Sequence, residues 1–117
     1  MQEEIKETYK MDDVKIVPEE VEAVVYGMYK TTAKDIYKES AKRPEQIKLV
    51  LQVENAEFNV KTILPITFYE KEHITNRTHL GKIINRYTEK YGKKWFLGIG
   101  CKLIIGINEK GFWEIKL

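Results

Sequence analysis

Residues 45–69 read EQIKLVLQVENAEFNVKTILPITFY, and this stretch decides the fold of the chain. From Gln46 to Glu54, apolar side chains occupy the odd positions and polar ones the even positions, with Val50 as the apolar exception. Such period-two alternation predicts a half-buried strand. Phe58 to Tyr69 alternates similarly and predicts a second strand. Because only Asn55 to Glu57 separates them, we expect an antiparallel hairpin.

The predicted hairpin has two unlike faces. One face is apolar and predicts the core; it carries Ile47, Leu49, Leu51, Val53, Phe58, Val60, Leu64, Ile66 and Phe68. The other face is mixed, with basic, amide, aliphatic and aromatic side chains: Lys48, Gln52, Lys61, Ile63 and Tyr69. The functional interpretation depends mainly on this mixed face.

Length and composition indicate one soluble, intracellular domain. The chain has 117 residues, of which 43% are hydrophobic and 32% charged, enough for a core without covalent staples. No apolar run approaches the ~18 residues that span a bilayer, and the N-terminal stretch MQEEIKETYK lacks the apolar region of a signal peptide. Cys101 is the single cysteine, so we expect a reducing, cytoplasmic setting without disulfides.

Charge is distributed unevenly along the chain. Residues 1–20 carry seven acids and three lysines, a net charge of −4, whereas residues 21–117 carry seventeen basic and eleven acidic side chains, a net charge of +6. A basic body is compatible with a polyanionic partner. The same lysine and glutamate richness would suit a thermophilic surface without a ligand, and composition leaves both interpretations open. We predict that 1–20 is an acidic, flexible leader, which could compete for the basic surface of domain 21–117.

Three further strands and one helix are predicted outside the hairpin. Val21 to Tyr37 is rich in Val, Tyr, Thr and Ile and predicts a long strand, with a bulge at Gly27 and a second parity break at Ile36. From Tyr29 onward, Tyr29, Thr31 and Ala33 are expected to face inward. Ile99 to Asn108 and Phe112 to Leu117 predict the last two strands.

The single helical pattern runs from Thr78 to Tyr91. Its apolar residues recur at spacings of three and four, which places them on one helix face: Leu80, Ile83, Ile84, Tyr87 and Tyr91. Thr78 is the expected N-cap and Gly92 the expected residue beyond the C-terminus. The order of elements is therefore three strands, one helix and two strands. That order predicts a mainly β, five-stranded OB-fold (Greek-key) barrel with its helix between strands three and four.

Three stretches also carry a family resemblance. Tyr29-Lys-Thr-Thr-Ala-Lys-Asp-Ile36, Glu45-Gln-Ile-Lys-Leu-Val-Leu-Gln-Val53 and Thr78-His-Leu-Gly-Lys-Ile-Ile84 resemble small phage and archaeal single-stranded-DNA-binding proteins of the OB-fold type, over about residues 21–117. The resemblance implies a viral or archaeal DNA-binding protein of replication or repair, with protein partners from those processes. OB barrels also serve as protein-interaction modules, so the resemblance supports the predicted fold more strongly than the predicted function.

Catalysis is not expected of this sequence. It contains no Gly-rich phosphate loop, no nucleophile elbow and no His, Asp and Glu set at metal-ligand spacing. His73 and His79 are expected at the surface, and Cys101 is expected as a small core residue. Asp35 and Glu39 could pair as carboxylates, but no other catalytic residue is expected beside them. We therefore predict a non-enzyme without metal, cofactor or membrane partner, and the oligomeric state stays open.

Single-stranded nucleic acid binding requires cations for phosphates and aromatic rings on which bases stack. In the OB layout the ligand crosses strands two and three between the first and last loops. The predicted binding residues are therefore those of the mixed face, Lys48, Gln52, Lys61, Ile63 and Tyr69, together with Tyr37, Lys38, Lys42 and Arg43 from the first loop and Lys110 and Phe112 from the last hairpin.

Each of these side chains also has a structural interpretation. Tyr37 and Tyr69 could be half-buried strand ends, Phe112 a contact at the barrel rim, and each lysine a solvated charge. Trp95, with Phe96 beside it, is expected to plug the barrel below the helix, because large aromatic side chains usually bury. The alternative to nucleic acid binding is an OB-like protein-interaction module that adds a strand at an exposed edge.

Overall fold

Five antiparallel strands form one sheet in this protein. The computed structural model describes residues 17–68 and 77–117, and all element bounds below refer to those residues. The strands are β1 (Glu20–Thr32), β2 (Ile47–Asn55), β3 (Val60–Thr67), β4 (Lys102–Ile107) and β5 (Trp113–Ile115). Their order across the sheet is β3-β2-β1-β4-β5. The mainly β architecture predicted from the sequence is confirmed.

Two helices accompany the sheet, where the sequence predicted one. Helix α1 (Ala33–Tyr37) lies between β1 and β2 and is followed by a 3₁₀ turn at Lys38–Ser40, and helix α2 (His79–Tyr91) lies between β3 and β4. The prediction of a helix between strands three and four is confirmed, but the prediction that it is the only helix is wrong. In the described part of the chain, no helix is both long enough and apolar enough to cross a membrane.

The β2–β3 hairpin pairs in the register that its alternation predicts. Leu51 lies opposite Leu64, and both are buried, at 0% and 3% exposure. The connection is closed by Asn55, whose Oδ1 accepts from the Phe58 N–H at 2.9 Å. Because this turn continues through Asn59, which has a φ of 54°, β3 begins two residues later than the sequence pattern indicated.

Strand β1 is shared by the two halves of the sheet. Its first residues pair with β4 and its later residues pair with β2. The register against β2 shifts between Val25 and Gly27, which confirms the predicted bulge. A bulge bends a strand and increases its local twist, so Gly27 marks the place where β1 passes from one neighbour to the other.

The end of β1 differs from the prediction. The strand stops at Thr32 because the Thr32 side chain caps α1, with Oγ1 accepting from the Asp35 N–H at 3.3 Å. Residues 33–37 are therefore helical, and Ile36 marks no second bulge. Residues 29–37 favour a strand by composition. The cap at Thr32 instead favours a helix, because it satisfies an N–H that the start of a helix leaves unpaired.

Helix α2 matches its predicted pattern closely. Thr78 is the N-cap and accepts from the Gly81 N–H at 3.0 Å, and Gly92 follows the helix with a φ of 97°. The apolar face packs on the sheet, with Ile83 at 0% and Tyr87 at 1% exposure. Burial of such a face is the main source of helix stability in proteins, so α2 covers one side of the core.

The last two strands are shorter than predicted. Gly100 has a φ of 93°, and β4 begins after it, at Lys102. Cys101 is buried as expected, at 8% exposure, whereas Ile107 at the end of β4 is 52% exposed. The two edge strands, β3 and β5, approach within 8 Å between Cα atoms, while the hydrogen-bonded order remains that of an open sheet.

Candidate nucleic-acid interface

One surface of the β1–β2–β3 half of the sheet combines exposed rings with lysines; we call it the tyrosine face. Its members are Tyr26, Tyr29, Lys48, Gln52, Lys61 and Ile63. The two tyrosines are 37% and 40% exposed, and Ile63 is 39% exposed. Cross-strand partners in an antiparallel sheet point to the same side, and Gln52 pairs with both Gly27 and Ile63. The predicted outward placement of Ile63 is confirmed.

Tyr29 corrects the sequence interpretation, which placed it inward. It lies opposite Val50, on the outer side of β2, and is 40% exposed. Val50 itself is fully buried between Tyr29 and Pro65 in the register, at 0% exposure. Val50, the apolar exception in the strand pattern, is therefore buried beneath the more exposed side chains of this face.

A lysine sits over one ring of the tyrosine face. The Lys61 Nζ lies 5.1 Å from the centroid of the Tyr26 ring, within the range of a cation–π interaction. Glu54 is the cross-strand partner of Lys61 and is also exposed. This end of the face therefore carries both signs of charge, whereas the other end, at Lys48, opens toward a region whose described charged lining residues are all basic.

That region is an open groove between the first loop and the last hairpin; we call it the basic groove. Its volume is about 570 Å³, and no acidic side chain lines it among the described residues. Five of the predicted site residues meet there: Tyr37, Lys42, Arg43, Lys48 and Lys110. The remaining lining is Ala33, Ser40, Ala41, Gln46 and Thr67.

Lys48 connects the two surfaces. It belongs to the tyrosine face by its register with Thr31 and Thr67, and it also lines the basic groove. Its Nζ donates to the Thr67 Oγ1 at 2.9 Å, which holds the ammonium group above the sheet. A strand of phosphates could therefore pass from the groove onto the face along one side of Lys48.

Backbone contacts hold the loop side of the groove. The Ala33 N–H donates to the Gln46 carbonyl at 2.8 Å, and the Lys34 N–H donates to the Pro44 carbonyl at 3.0 Å. These bonds tie the first turn of α1 to the segment just before β2. Because Tyr37 is the last residue of that short helix, its ring is carried to the groove, where it is 43% exposed.

The opposite side of the groove is held by the turn between β4 and β5. The Asn108 Oδ1 accepts from the N–H groups of Lys110 and Phe112, both at 3.0 Å. Gly111 has a φ of 86°, a conformation that glycine adopts without the strain of a side chain. This turn directs Lys110 into the groove.

Two predicted residues lie elsewhere, and a third is not among the described residues. Lys38 contacts Asp35, at 4.0 Å between Nζ and Oδ1, and borders a separate depression beside Thr32 and Glu39. Phe112 is 67% exposed, which contradicts a packed rim contact, but it does not line the groove. Tyr69 falls outside the described residues, as does His73.

Sequence reasoning missed the two tyrosines of β1. Tyr26 and Tyr29 are three positions apart, and in a regular strand an odd spacing places side chains on opposite faces. The bulge at Gly27 inserts one extra residue and returns both rings to the same face. Gly27, which lies between the two tyrosines, was the signal in the sequence from which their shared face could have been predicted.

His79 and Cys101 lie where the sequence predicted them, on the surface and in the core. In the described ranges no group of His, Cys, Asp and Glu could hold a metal ion, and His79 is exposed. Burial raises the pKa of the Cys101 thiol, which disfavours the nucleophilic thiolate. Asp35 contacts Lys38 and accepts from the Thr31 hydroxyl at 2.9 Å.

Trp95 packs behind the sheet, away from the tyrosine face. Its ring stacks on Tyr87 with centroids 5.3 Å apart, and its Nε1 donates to the Lys102 carbonyl at 3.0 Å. The expectation that Trp95 packs on the core is confirmed. The neighbouring Phe96 is instead 65% exposed, so the pair does not act together as a plug.

No protein-family model, curated protein or solved structure matches this chain.

Proposed function

We propose that this protein binds single-stranded nucleic acid, with single-stranded DNA as the first candidate, on the tyrosine face and the basic groove. The observation that carries the proposal is the joint exposure of Tyr26, Tyr29 and Ile63 on one surface, joined through Lys48 to a groove without acids in its described lining. No bond is made or broken in the ligand, so the protein acts as a binding protein and not as an enzyme.

The chemistry of the two surfaces is complementary. Exposed aromatic rings provide flat surfaces on which bases stack, worth ~1–3 kcal/mol per base, and cations follow the phosphates. A duplex hides the faces of its bases within its own stack, so rings on an open sheet favour a single strand. Neutralised phosphates release counterions, which makes the affinity fall with salt.

The topology supports an OB-type barrel for this proposal. Strand β1 is long, bends at a bulge and serves both halves of the sheet. Helix α2 lies between β3 and β4, and the two edge strands approach each other. In an OB-fold, the face of strands two and three with the loops after strands one and four binds oligonucleotides. The tyrosine face and the basic groove occupy the corresponding places.

A protein-interaction module is the second candidate, favoured by a different surface. Phe96 and Ile99, in the connection from α2 to β4, are each 65% exposed, and they border a depression with Trp95 and Tyr91. Exposed apolar side chains grouped in this way often mark protein contacts. If this is the functional surface, nucleic acid should not bind and a partner protein should protect Phe96.

The test is fluorescence anisotropy with a labelled dT oligomer of about 20 nucleotides, titrated with the protein at two salt concentrations. A duplex of the same length is the control. We expect binding that prefers the single strand and weakens with salt. Absence of binding at low salt would remove this function and leave the protein-interaction candidate.

A further inference from the structure

The tyrosine face contains one amide side chain whose position is set by a glycine. Gln52 lies opposite Gly27 across β1 and β2. A Cβ atom on Gly27 would lie 2.0 Å from the Gln52 Oε1 and 3.0 Å from its Cδ. The glutamine amide therefore packs against Gly27, in space that a side chain at position 27 would fill.

The amide of Gln52 is available to a ligand. Within residues 17–68 and 77–117 its side chain makes no hydrogen bond, although it is partly buried. No fully buried side-chain polar atom of the described residues lacks a hydrogen-bond partner, so the Gln52 amide is reached by solvent, and a ligand can pair with it there. The register places the amide between Tyr26 on one side and Tyr29 on the other, where stacked bases would present their edges.

We propose that Gln52 reads the edge of one base, with adenine preferred, within a site that is otherwise tolerant of sequence. The inference rests on the proposed function and adds a specificity-determining residue to it. The Gln52 amide presents one donor and one acceptor side by side. The exposed edges of an unstacked base are recognised by such groups in single strands.

Adenine is the base with which glutamine characteristically forms two hydrogen bonds. Its N6 amino group donates next to N7 on one edge, the pairing that glutamine makes in the major groove, and next to N1 on the other edge. A fixed amide therefore accepts adenine in two orientations.

The test compares single strands that differ in one functional group. Three oligomers of about 20 nucleotides share a dT background, with every third position occupied by dT, dA or the deoxynucleotide of unsubstituted purine. Purine stacks as adenine does but lacks the N6 amino group. We expect the adenine oligomer to bind about fivefold or more tightly than the purine oligomer, measured by competition against labelled dT.

Two variants then assign the preference. Gln52→Leu keeps the side-chain size and removes the amide, so the adenine-to-purine ratio should fall to about one, whatever overall affinity the variant retains for the dT oligomer. Gly27→Ala should lower the ratio as well, because the new Cβ displaces the flexible end of Gln52. Thermal melting of both variants checks that they fold.

Each result decides between two accounts. Tight binding with equal affinity for adenine and purine oligomers would overturn the inference and leave the proposed function intact. A preference that survives Gln52→Leu in a folded variant would also overturn it, because stacking would then be its source. Failure of all three oligomers to bind would instead remove the proposed function, and this inference with it.

Discussion

Two pairs of tyrosines occupy opposite sides of this sheet, and their surroundings differ completely. In α2, Tyr87 is 1% exposed; its hydroxyl lies 3.0 Å from the Ile104 carbonyl oxygen and accepts from the Ile104 N–H at 2.9 Å. Its neighbour Tyr91 stacks beside it, with centroids 6.0 Å apart. On β1, Tyr26 and Tyr29 are 37% and 40% exposed, and their hydroxyls have no hydrogen bond within the described chain.

The difference separates stability from binding. The Tyr87 ring fills the space between helix and sheet, and its hydroxyl satisfies backbone groups that would otherwise be buried without partners. More than a third of the surface of Tyr26 and of Tyr29 stays exposed to solvent. Counting aromatic residues treats the two pairs alike, whereas burial and hydrogen bonding assign the helix pair to folding and leave the strand pair accessible to the proposed ligand.

The largest effect is expected at Tyr87. Tyr87→Ala should lower the free energy of unfolding by ~3–5 kcal/mol, the range for large aromatic truncations in cores. Tyr29→Ala should lower it by ~1 kcal/mol or less, the scale of one cross-strand pair on a sheet face. Urea denaturation of both variants measures the two values. Similar losses in both would contradict the assignment of the pairs.

Tyr29→Ala should act on binding instead. Loss of one stacking ring should weaken the affinity for a dT oligomer by ~1–3 kcal/mol, or ~5–150-fold. Tyr91→Phe is the matched control, because it keeps the helix ring and changes a hydroxyl away from the tyrosine face. Anisotropy titrations compare the three proteins. An unchanged affinity in a folded Tyr29→Ala protein would exclude that ring from the site.

The lysines should alter the salt dependence more than the affinity at high salt. Lys48→Gln and Lys110→Gln should each reduce the slope of log K against log salt by ~0.7, the value for one single-strand phosphate contact. Lys38→Gln is the control, since Lys38 contacts Asp35 outside the groove. If Lys38 changed the slope as much as Lys110 did, the groove would be wrongly placed.

The smallest effect concerns pH and stability. Burial and the hydrogen bond that Tyr91 donates to Glu22 raise the pKa of Tyr91 from 10.0 to about 12. The folded state therefore holds this proton more tightly than the unfolded state does, and the contribution to stability is lost as pH rises from 10.0 to about 12. Denaturation across this range should show a shallower decline for Tyr91→Phe than for the unchanged protein; equal declines would contradict the coupling.

Much of the fold was predictable from periodicity. The β2–β3 hairpin and α2 both appear where alternation and three- to four-residue spacing place them, because each buries one face on a shared core. The end of β1 was not predictable in this way. Residues that favour a strand here also place Thr32 where it can cap a helix. Only the hydrogen bonds between this turn and the segment before β2 decide in favour of the helix over the strand.

The candidate site was predicted in part. Lys42, Arg43, Lys48 and Lys110 meet in the basic groove because the sequence order of the loops already placed them at one end of the sheet. Tyr29 was assigned to the wrong face, since parity was counted from Tyr29 onward and not carried across the bulge at Gly27. Lys38 was predicted for the same site but lies outside the groove, because it begins the 3₁₀ turn after α1 with a φ of 54°.

The most direct test of the account is amide chemical-shift mapping by NMR, with a dT oligomer added to the isotope-labelled protein. We expect the largest shifts at Tyr26, Tyr29, Gln52 and Ile63 and around the basic groove, with little change along α2. Shifts concentrated at Phe96 and Ile99, or no shift at any oligomer concentration, would contradict the assignment of the tyrosine face as the nucleic-acid interface.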